Sequence, residues 1–203
     1  MSMITIVDYG MGNLGSIKNM FKRIGAQSVI TNDLNTIASA EKIVLPGVGD
    51  FDNAMQQINN SELREILNRK ALHERRPILG ICLGMQLLTH SSEEGRLPGL
   101  GWIKATTSRF PKISELKVPH MGWNLVAPVR ESPISQNLPD ESRFYFVHSY
   151  CVHVENEEDS ILKTNYGIKF DAAIQHGNIF GAQFHPEKSH KFGMQFLTNF
   201  ANL

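Results

Sequence analysis

The sequence predicts an α/β fold, a central mostly parallel sheet with helices on both faces and additional antiparallel strands in the second half. Two observations carry this. Through the first 90 residues, short apolar runs alternate with segments of helical spacing, the pattern of a parallel sheet covered on both faces. From Trp102 to Phe184 the runs are instead separated by Gly, Pro and Asn, as in antiparallel strands joined by turns. No linker, repeat or low-complexity segment interrupts the chain, so residues 1–203 read as a single domain.

In order, Met3 to Val7 is an apolar, β-branched run that predicts a strand. Leu14, Ile17, Phe21 and Ile24 recur at helical spacing until Gly25. Ser28 to Thr31 and Lys42 to Leu45 are strand candidates, and Leu63, Ile66, Leu67 and Ala71 mark a helix that Ser61 is placed to cap. Pro77 to Ile81 reads as a strand and Leu83 to His90 as a helix. Val118 to Val126, Arg143 to Val152, Ile161 to Tyr166 and Ile179 to Phe184 are the later strand candidates, and a helix near Phe192 to Phe200 closes the chain.

Twenty basic side chains balance twenty acidic ones, which removes the positive footprint of a dedicated nucleic-acid binder. The N-terminus has no basic region ahead of an apolar one, and the most apolar stretch, Pro77 to Thr89, is too short to span a bilayer. Two lone cysteines, Cys82 and Cys151, make neither a disulfide framework nor a metal site. The expectation is a cytoplasmic protein without membrane attachment.

Gly10-Met11-Gly12-Asn13-Leu14-Gly15 matches a dinucleotide fingerprint between strand and helix, with Asp33 further on. Against NAD, Asp8 ends the strand where pyrophosphate would approach, and a carboxylate there repels it. Gly80-Ile81-Cys82-Leu83-Gly84 is sharper, placing a cysteine where nucleophile elbows place serine. A thiol opening a helix feels the positive end of the dipole, which favours the thiolate. The matching base is His185 in Phe184-His185-Pro186-Glu187. In an extended segment Glu187 faces the same side and orients the imidazole. His120 and His148 lack a carboxylate at i+2 and read as satisfied polar or packing residues. Pro46-Gly47-Val48-Gly49 leaves backbone N–H groups free, so Val48 and the N–H of Leu83 are candidates for an oxyanion hole.

Together these residues resemble the class I (triad) glutamine amidotransferases, which have a flavodoxin-like sheet. The elbow spans Gly80 to Gln86 and the His-Pro-Glu element His185 to Glu187. Within that family the chain is similar to the glutaminase subunits of imidazole glycerol phosphate synthase through Asp8 to Leu14, Leu45 to Gly49, Pro119 to Asn124, Phe144 to Tyr150 and Gln183 to Ser189. The resemblance implies Cys82 as nucleophile, His185 as acid and base and Glu187 as orienter. It implies Gly49, Gln86, Glu94, Ser149 and Tyr150 as glutamine-holding residues. It further implies hydrolysis of glutamine with no metal or cofactor, and a (β/α)8-barrel cyclase as heterodimer partner in histidine biosynthesis, met through Asn13, Trp123, Tyr145 and Lys188.

One departure bears on the acceptor. After Ser189 the chain continues His190-Lys191-Phe192 rather than with small residues. Paralogues with similar tails supply ammonia for amidating a surface-polysaccharide sugar, which is the alternative acceptor. A catalytically silent relative would lack Cys82, His185 or Glu187, and all three are present.

Overall fold

The computed structural model describes residues 2–114 and 116–203. Its first half runs β1 (Ile4–Val7), α1 (Leu14–Arg23), β2 (Ser28–Thr31), α2 (Leu34–Ser39), β3 (Lys42–Gly47), α3 (Phe51–Asn59), α4 (Leu63–Asn68), β4 (Ile78–Cys82) and α5 (Leu83–Leu87). The second half has β5 (Ser91–Ser92), β6 (Ala105–Arg109), β7 (His120–Leu125), β8 (Ala127–Pro128), β9 (Arg143–His148), β10 (Tyr150–Val154), β11 (Ser160–Tyr166), β12 (Ile168–His176), β13 (Ile179–Ala182) and α6 (His190–Ala201).

The main sheet has the order β2-β1-β3-β4-β13-β12-β10-β6-β5, with β11 and β8 attached beside β12. Its first five strands are mutually parallel. From β13 onward the pairings turn antiparallel, apart from the short β5–β6 pair. Every residue of β1, β3, β4 and β13 is buried, which is why these strands read as unbroken apolar runs. Successive residues still serve opposite faces. Val44 packs with α1 and α6 through Ile17, Phe21, Phe196 and Phe200. Its neighbours Ile43 and Leu45 pack with α2, α3 and α4 through Ile37, Phe51, Met55 and Leu67.

The periodicity reading leaves out α2, β6, β12 and the two-residue strands β5 and β8, and three further differences have an evident physical reason. Helix α3 has no assignment there because polar Asp52, Asn53, Gln56, Gln57 and Asn59 dominate it. Its buried stripe is only Phe51, Ala54, Met55 and Ile58. The Arg143 to Val152 run is two strands broken at Ser149. β9 pairs with β7 in a separate two-stranded sheet, while β10 joins the main one. The helix expected to reach His90 stops at Leu87, because the next N–H groups leave the i→i−4 pattern: Leu88 and Thr89 N–H donate to Met85 O and Gln86 O, each at 3.1 Å, and His90 N–H donates to Ala105 O of β6 at 2.9 Å. The following carbonyls are also claimed from elsewhere. Leu100 N–H donates to Leu87 O at 2.7 Å, and Trp102 and Ile103 N–H donate to Leu88 O at 3.0 and 3.1 Å.

The small sheet is joined to α6 by aromatic packing. Phe144 of β9 stacks on Phe184 with centroids 3.9 Å apart, and Phe196 of α6 meets Phe184 edge-on at 5.1 Å. All three rings are fully buried. Phe196→Ala is expected to cost about 3–5 kcal/mol of stability, read as a fall in the urea midpoint at unchanged m-value.

Candidate active site

Cys82 ends β4 in a conformation that L residues avoid, φ 54° and ψ −109°. Such strain, of order 1–3 kcal/mol, persists only where the surroundings enforce it. Here they do so through close backbone contact. A Cβ on Gly84 would lie 1.8 Å from the carbonyl oxygen of Leu45, and one on Gly80 would lie 2.4 Å from that of Gly84. The turn therefore closes flat against β3 and presents the thiol at the carboxyl end of the sheet. Because α5 has only five residues, its dipole is smaller than the longer predicted helix implies.

His185 follows β13, the strand parallel to β4. It is extended, but Pro186–Lys188 forms a 3-10 turn rather than the expected continuous extended segment. The turn nevertheless brings Glu187 Oε1 to 2.8 Å from His185 Nδ1, with both side chains only 3% exposed. The segment is fastened to β9: His185 N–H donates to Tyr145 O at 2.9 Å, Tyr145 N–H to Ser189 Oγ at 3.0 Å, and Ser189 Oγ–H to His185 O at 2.6 Å. Since an ionised carboxylate only accepts, Nδ1 carries a proton. Nε2 has no hydrogen-bond partner among the described residues. Burial alone would lower this histidine's pKa. Interaction with Cys82 and Glu187 outweighs burial and raises it from 6.5 to about 10.

A cleft of about 370 Å³ opens beside the thiol, lined by Val48, Gly49, Cys82, Leu83, Gln86, Glu94, Ser149 and Tyr150 among others. All seven residues expected in the oxyanion hole or at the substrate thus border one space with Cys82. Ser149 and Tyr150 reach it because the chain changes sheets there. His185 and Glu187 lie on the other side of Val48, against a small void shared with Gly12, Asn13 and Lys188. Glu94 Oε2 accepts from Phe51 N–H at 3.2 Å. Burial first, then nearby Asp50, raises its carboxyl above the usual range. Gln86 uses its amide N–H groups on the protein, donating to Tyr150 O at 3.3 Å and Gln183 Oε1 at 3.2 Å.

Trp123 and Tyr145 meet edge-on at 6.2 Å, and Lys188 Nζ stands 5.6 Å above the Tyr145 ring. Alternate residues Met121, Trp123 and Leu125 of β7 are exposed. Asn13, expected on the same face, accepts from Ser16 N–H at 3.3 Å as the N-cap of α1.

Two contributors, Gln183 and Asp52, were given no role by the sequence reading, while His148, read there as a satisfied polar or packing residue, is a hydrogen-bonded one that also lines the cleft. Gln183 touches Cys82, its Nε2 lying 3.8 Å from Sγ. Asp52 holds the loop that carries Glu94 by accepting from Arg96 and Leu97 N–H, each at 2.9 Å, and these bonds keep its carboxyl below the usual range. His148 lines the cleft and hydrogen-bonds His120 at 3.0 Å. A polar residue continuing the buried strand β13 is the one sequence signal for Gln183. For Asp52 the signal lies only in tertiary contacts.

The glycine loop Gly10 to Gly15 packs against this same site, since a Cβ on Gly12 would meet Gly47 at 3.3 Å. The acid that a dinucleotide site would need, Asp33, caps α2 by accepting from the N–H and hydroxyl of Thr36 at 2.8 and 2.7 Å.

The chain belongs to the glutamine amidotransferase class-I family, which matches residues 5–202. It is 54% identical over 198 residues to the imidazole glycerol phosphate synthase subunit HisH 2 of Methanococcus maripaludis, covering 98% of each chain. It is 50% identical to the subunit of the same name from Pseudomonas aeruginosa over 201 residues, covering 99% of this chain and all of the other. Among solved structures, PurLQS from Thermotoga maritima superposes with a TM-score of 0.76 at 18% identity, covering 100% of this chain and 99% of that one. At that identity the likeness speaks for the fold. The protein is thus an enzyme of the glutamine amidotransferase class. No helix among the described residues is long and apolar enough to cross a membrane.

The raised histidine fixes a pH dependence. The folded state retains a proton that the unfolded chain releases near 6.5, so this contribution to stability is complete below about pH 6.5. It is lost as pH rises through about 10. Glu187→Gln removes one of the groups that hold the proton and is expected to flatten the alkaline fall in Tm, measured by thermal unfolding from pH 6 to 10. An unchanged slope would remove Glu187 as the cause.

Proposed function

We propose that the chain is the cytoplasmic glutaminase subunit of an imidazole glycerol phosphate synthase, supplying ammonia to a (β/α)8-barrel cyclase partner in histidine biosynthesis. The observation that carries the chemistry is the convergence at one end of the sheet of a strained cysteine, a Glu-oriented histidine and a cleft of amino-acid size. The histidine-pathway acceptor draws support from the two HisH relatives, alike over nearly the whole chain.

In this reading the Cys82 thiolate attacks the side-chain carbonyl of glutamine, and the N–H groups of Val48 and Leu83 receive the oxyanion. His185 gives its Nε2 proton to the departing ammonia, leaving a glutamyl thioester. The neutral imidazole then takes a proton from water, the hydroxide displaces sulfur, and glutamate leaves. Glu94, whose carboxyl is already crowded by burial and Asp50, gains a counter-charge when the substrate's α-ammonium arrives. Gln86 Oε1, Gly49, Ser149 and Tyr150 complete the seat.

A specific observation favours the second acceptor, a surface-polysaccharide sugar intermediate. His190 packs on Trp123 with centroids 5.4 Å apart, so the departure after Ser189 falls on the proposed docking face, where partner choice is made. Reconstitution with each candidate barrel distinguishes the two, because only the true partner couples glutamate release to product.

With that partner, Cys82→Ala is expected to abolish glutamine-dependent synthesis while synthesis from added ammonium continues, followed by product formation with either nitrogen source. Retained glutaminase turnover would remove Cys82 as nucleophile. Trp123→Ala is expected to weaken the complex by at least about 2 kcal/mol, measured by titration calorimetry. Normal affinity would place docking elsewhere.

A further inference from the structure

We infer that Gln183 is a further catalytic residue, whose side-chain N–H donates to the Cys82 sulfur and stabilises it as a thiolate both when it attacks and when it leaves. The inference rests on Cys82 being the nucleophile. Gln183 immediately follows β13, is fully buried, and is held by its own backbone N–H to Ala172 O at 2.9 Å. Its Nε2 lies 3.8 Å from Sγ, within reach of a donor to sulfur.

The direction of this amide follows from its neighbours. The Tyr150 carbonyl can only accept, so Gln86 must turn its NH2 toward it, as it does at 3.3 Å. The same NH2 faces Gln183 at 3.2 Å, and that position therefore needs the Gln183 oxygen. The remaining end of Gln183, its NH2, is then aimed at the sulfur. Flipping it would set NH2 against NH2 and oxygen against sulfur. The anchoring carbonyl is itself held, receiving His148 Nδ1–H at 2.7 Å.

The other groups around the sulfur do not duplicate this donor. His185, with Glu187 behind it, also interacts with the sulfur, but its proton is passed on during turnover, whereas the Gln183 N–H stays in place. Tyr9, from the loop after β1, turns its hydroxyl to Pro46 O, and burial, then the neighbouring Cys82, hold that hydroxyl far above its ordinary pKa. The Val147 carbonyl of β9, 3.9 Å from Sγ, only accepts. Neutral His148 donates to Tyr150, and α5 is too short to supply a strong dipole. In acylation the Sγ–C bond forms and the C–N bond breaks, with the proton on nitrogen coming from His185. In deacylation the water oxygen bonds to carbon and the Sγ–C electron pair returns to sulfur, where the Gln183 N–H meets it.

The test uses the full chain and iodoacetamide, with peptide mass spectrometry separating Cys82 from Cys151. The wild type should be alkylated at Cys82, which borders the cleft, and spared at Cys151, whose thiol burial pushes up to about 12. Gln183→Leu should slow Cys82 alkylation at pH 7 about tenfold, as expected for losing one hydrogen bond to a charged group, and move the rate profile to higher pH. Gln183→Glu keeps the shape and an acceptor for Gln86 but sets a carboxylate beside the sulfur, so it should react more slowly still. A purely structural role predicts the reverse order. Should the leucine variant fail to fold, the glutamate variant carries the test alone. If Cys82 in the wild type reacts no faster than Cys151, the nucleophile reading falls and this inference with it. If the wild type reacts at Cys82 and the folded variants match its rate, only the role of Gln183 is overturned.

Discussion

The backbone at Gly84 rests on the carbonyl of Leu45, with room for a hydrogen and nothing larger. That contact fixes how tightly the chain turns after β4, holds Cys82 at its positive φ, and presses the elbow against the strand that leads into Pro46-Gly47-Val48-Gly49. The candidate nucleophile and the candidate oxyanion loop are thereby gauged against one another by backbone alone. Side chains then furnish the rest: His185 from the neighbouring parallel strand, Glu94 from a loop held by Asp52, and Ser149 and Tyr150 from the place where one sheet gives way to another.

Polar order around the site converges on one backbone oxygen. The Tyr150 carbonyl accepts from both Gln86 and His148. Because His148 donates through Nδ1, its Nε2 must accept from His120 Nδ1–H, and His120 Nε2 must accept from Asn124. Both imidazoles are neutral, since burial pushes His120 down to about 4 and His148 to about 3. His120 is stacked between Phe146 and Tyr166, at 4.8 and 4.0 Å, and is itself buried. A satisfied, uncharged path therefore ties β7, the strand bearing Trp123, to the wall of the cleft beside Cys82.

What the sequence made legible was whatever leaves a local mark. Unbroken apolar runs marked β1, β3 and β4, and the glycines around Cys82 marked the elbow because backbone contact forbids a side chain there. His185 and Glu187 were legible through their short separation, although a 3-10 turn, not an extended segment, brings them together. Helix α3 was hidden by its polar majority, and the break at Ser149 by the continuous apolar alternation on either side of it. Asp52 and Gln183 act through partners distant in sequence, Arg96 and Leu97 for one and Gln86 and Cys82 for the other. No spacing rule reaches across such distances. The Gly10 to Gly15 fingerprint shows the opposite hazard, a local mark whose tertiary setting is the back of a different site.

The strand order also has a consequence for how the chain is made. β4 lies between β3 and β13, yet β13 is the last strand to leave the ribosome. Until it arrives, β4 is an open sheet edge of apolar residues, and edges of that kind invite pairing with other chains. The strand that closes this edge is followed directly by the histidine proposed as partner of the thiol. Protection of the nascent sheet and completion of the proposed triad thus fall in the same late step of synthesis, so an unfinished chain carries the cysteine without its proposed base.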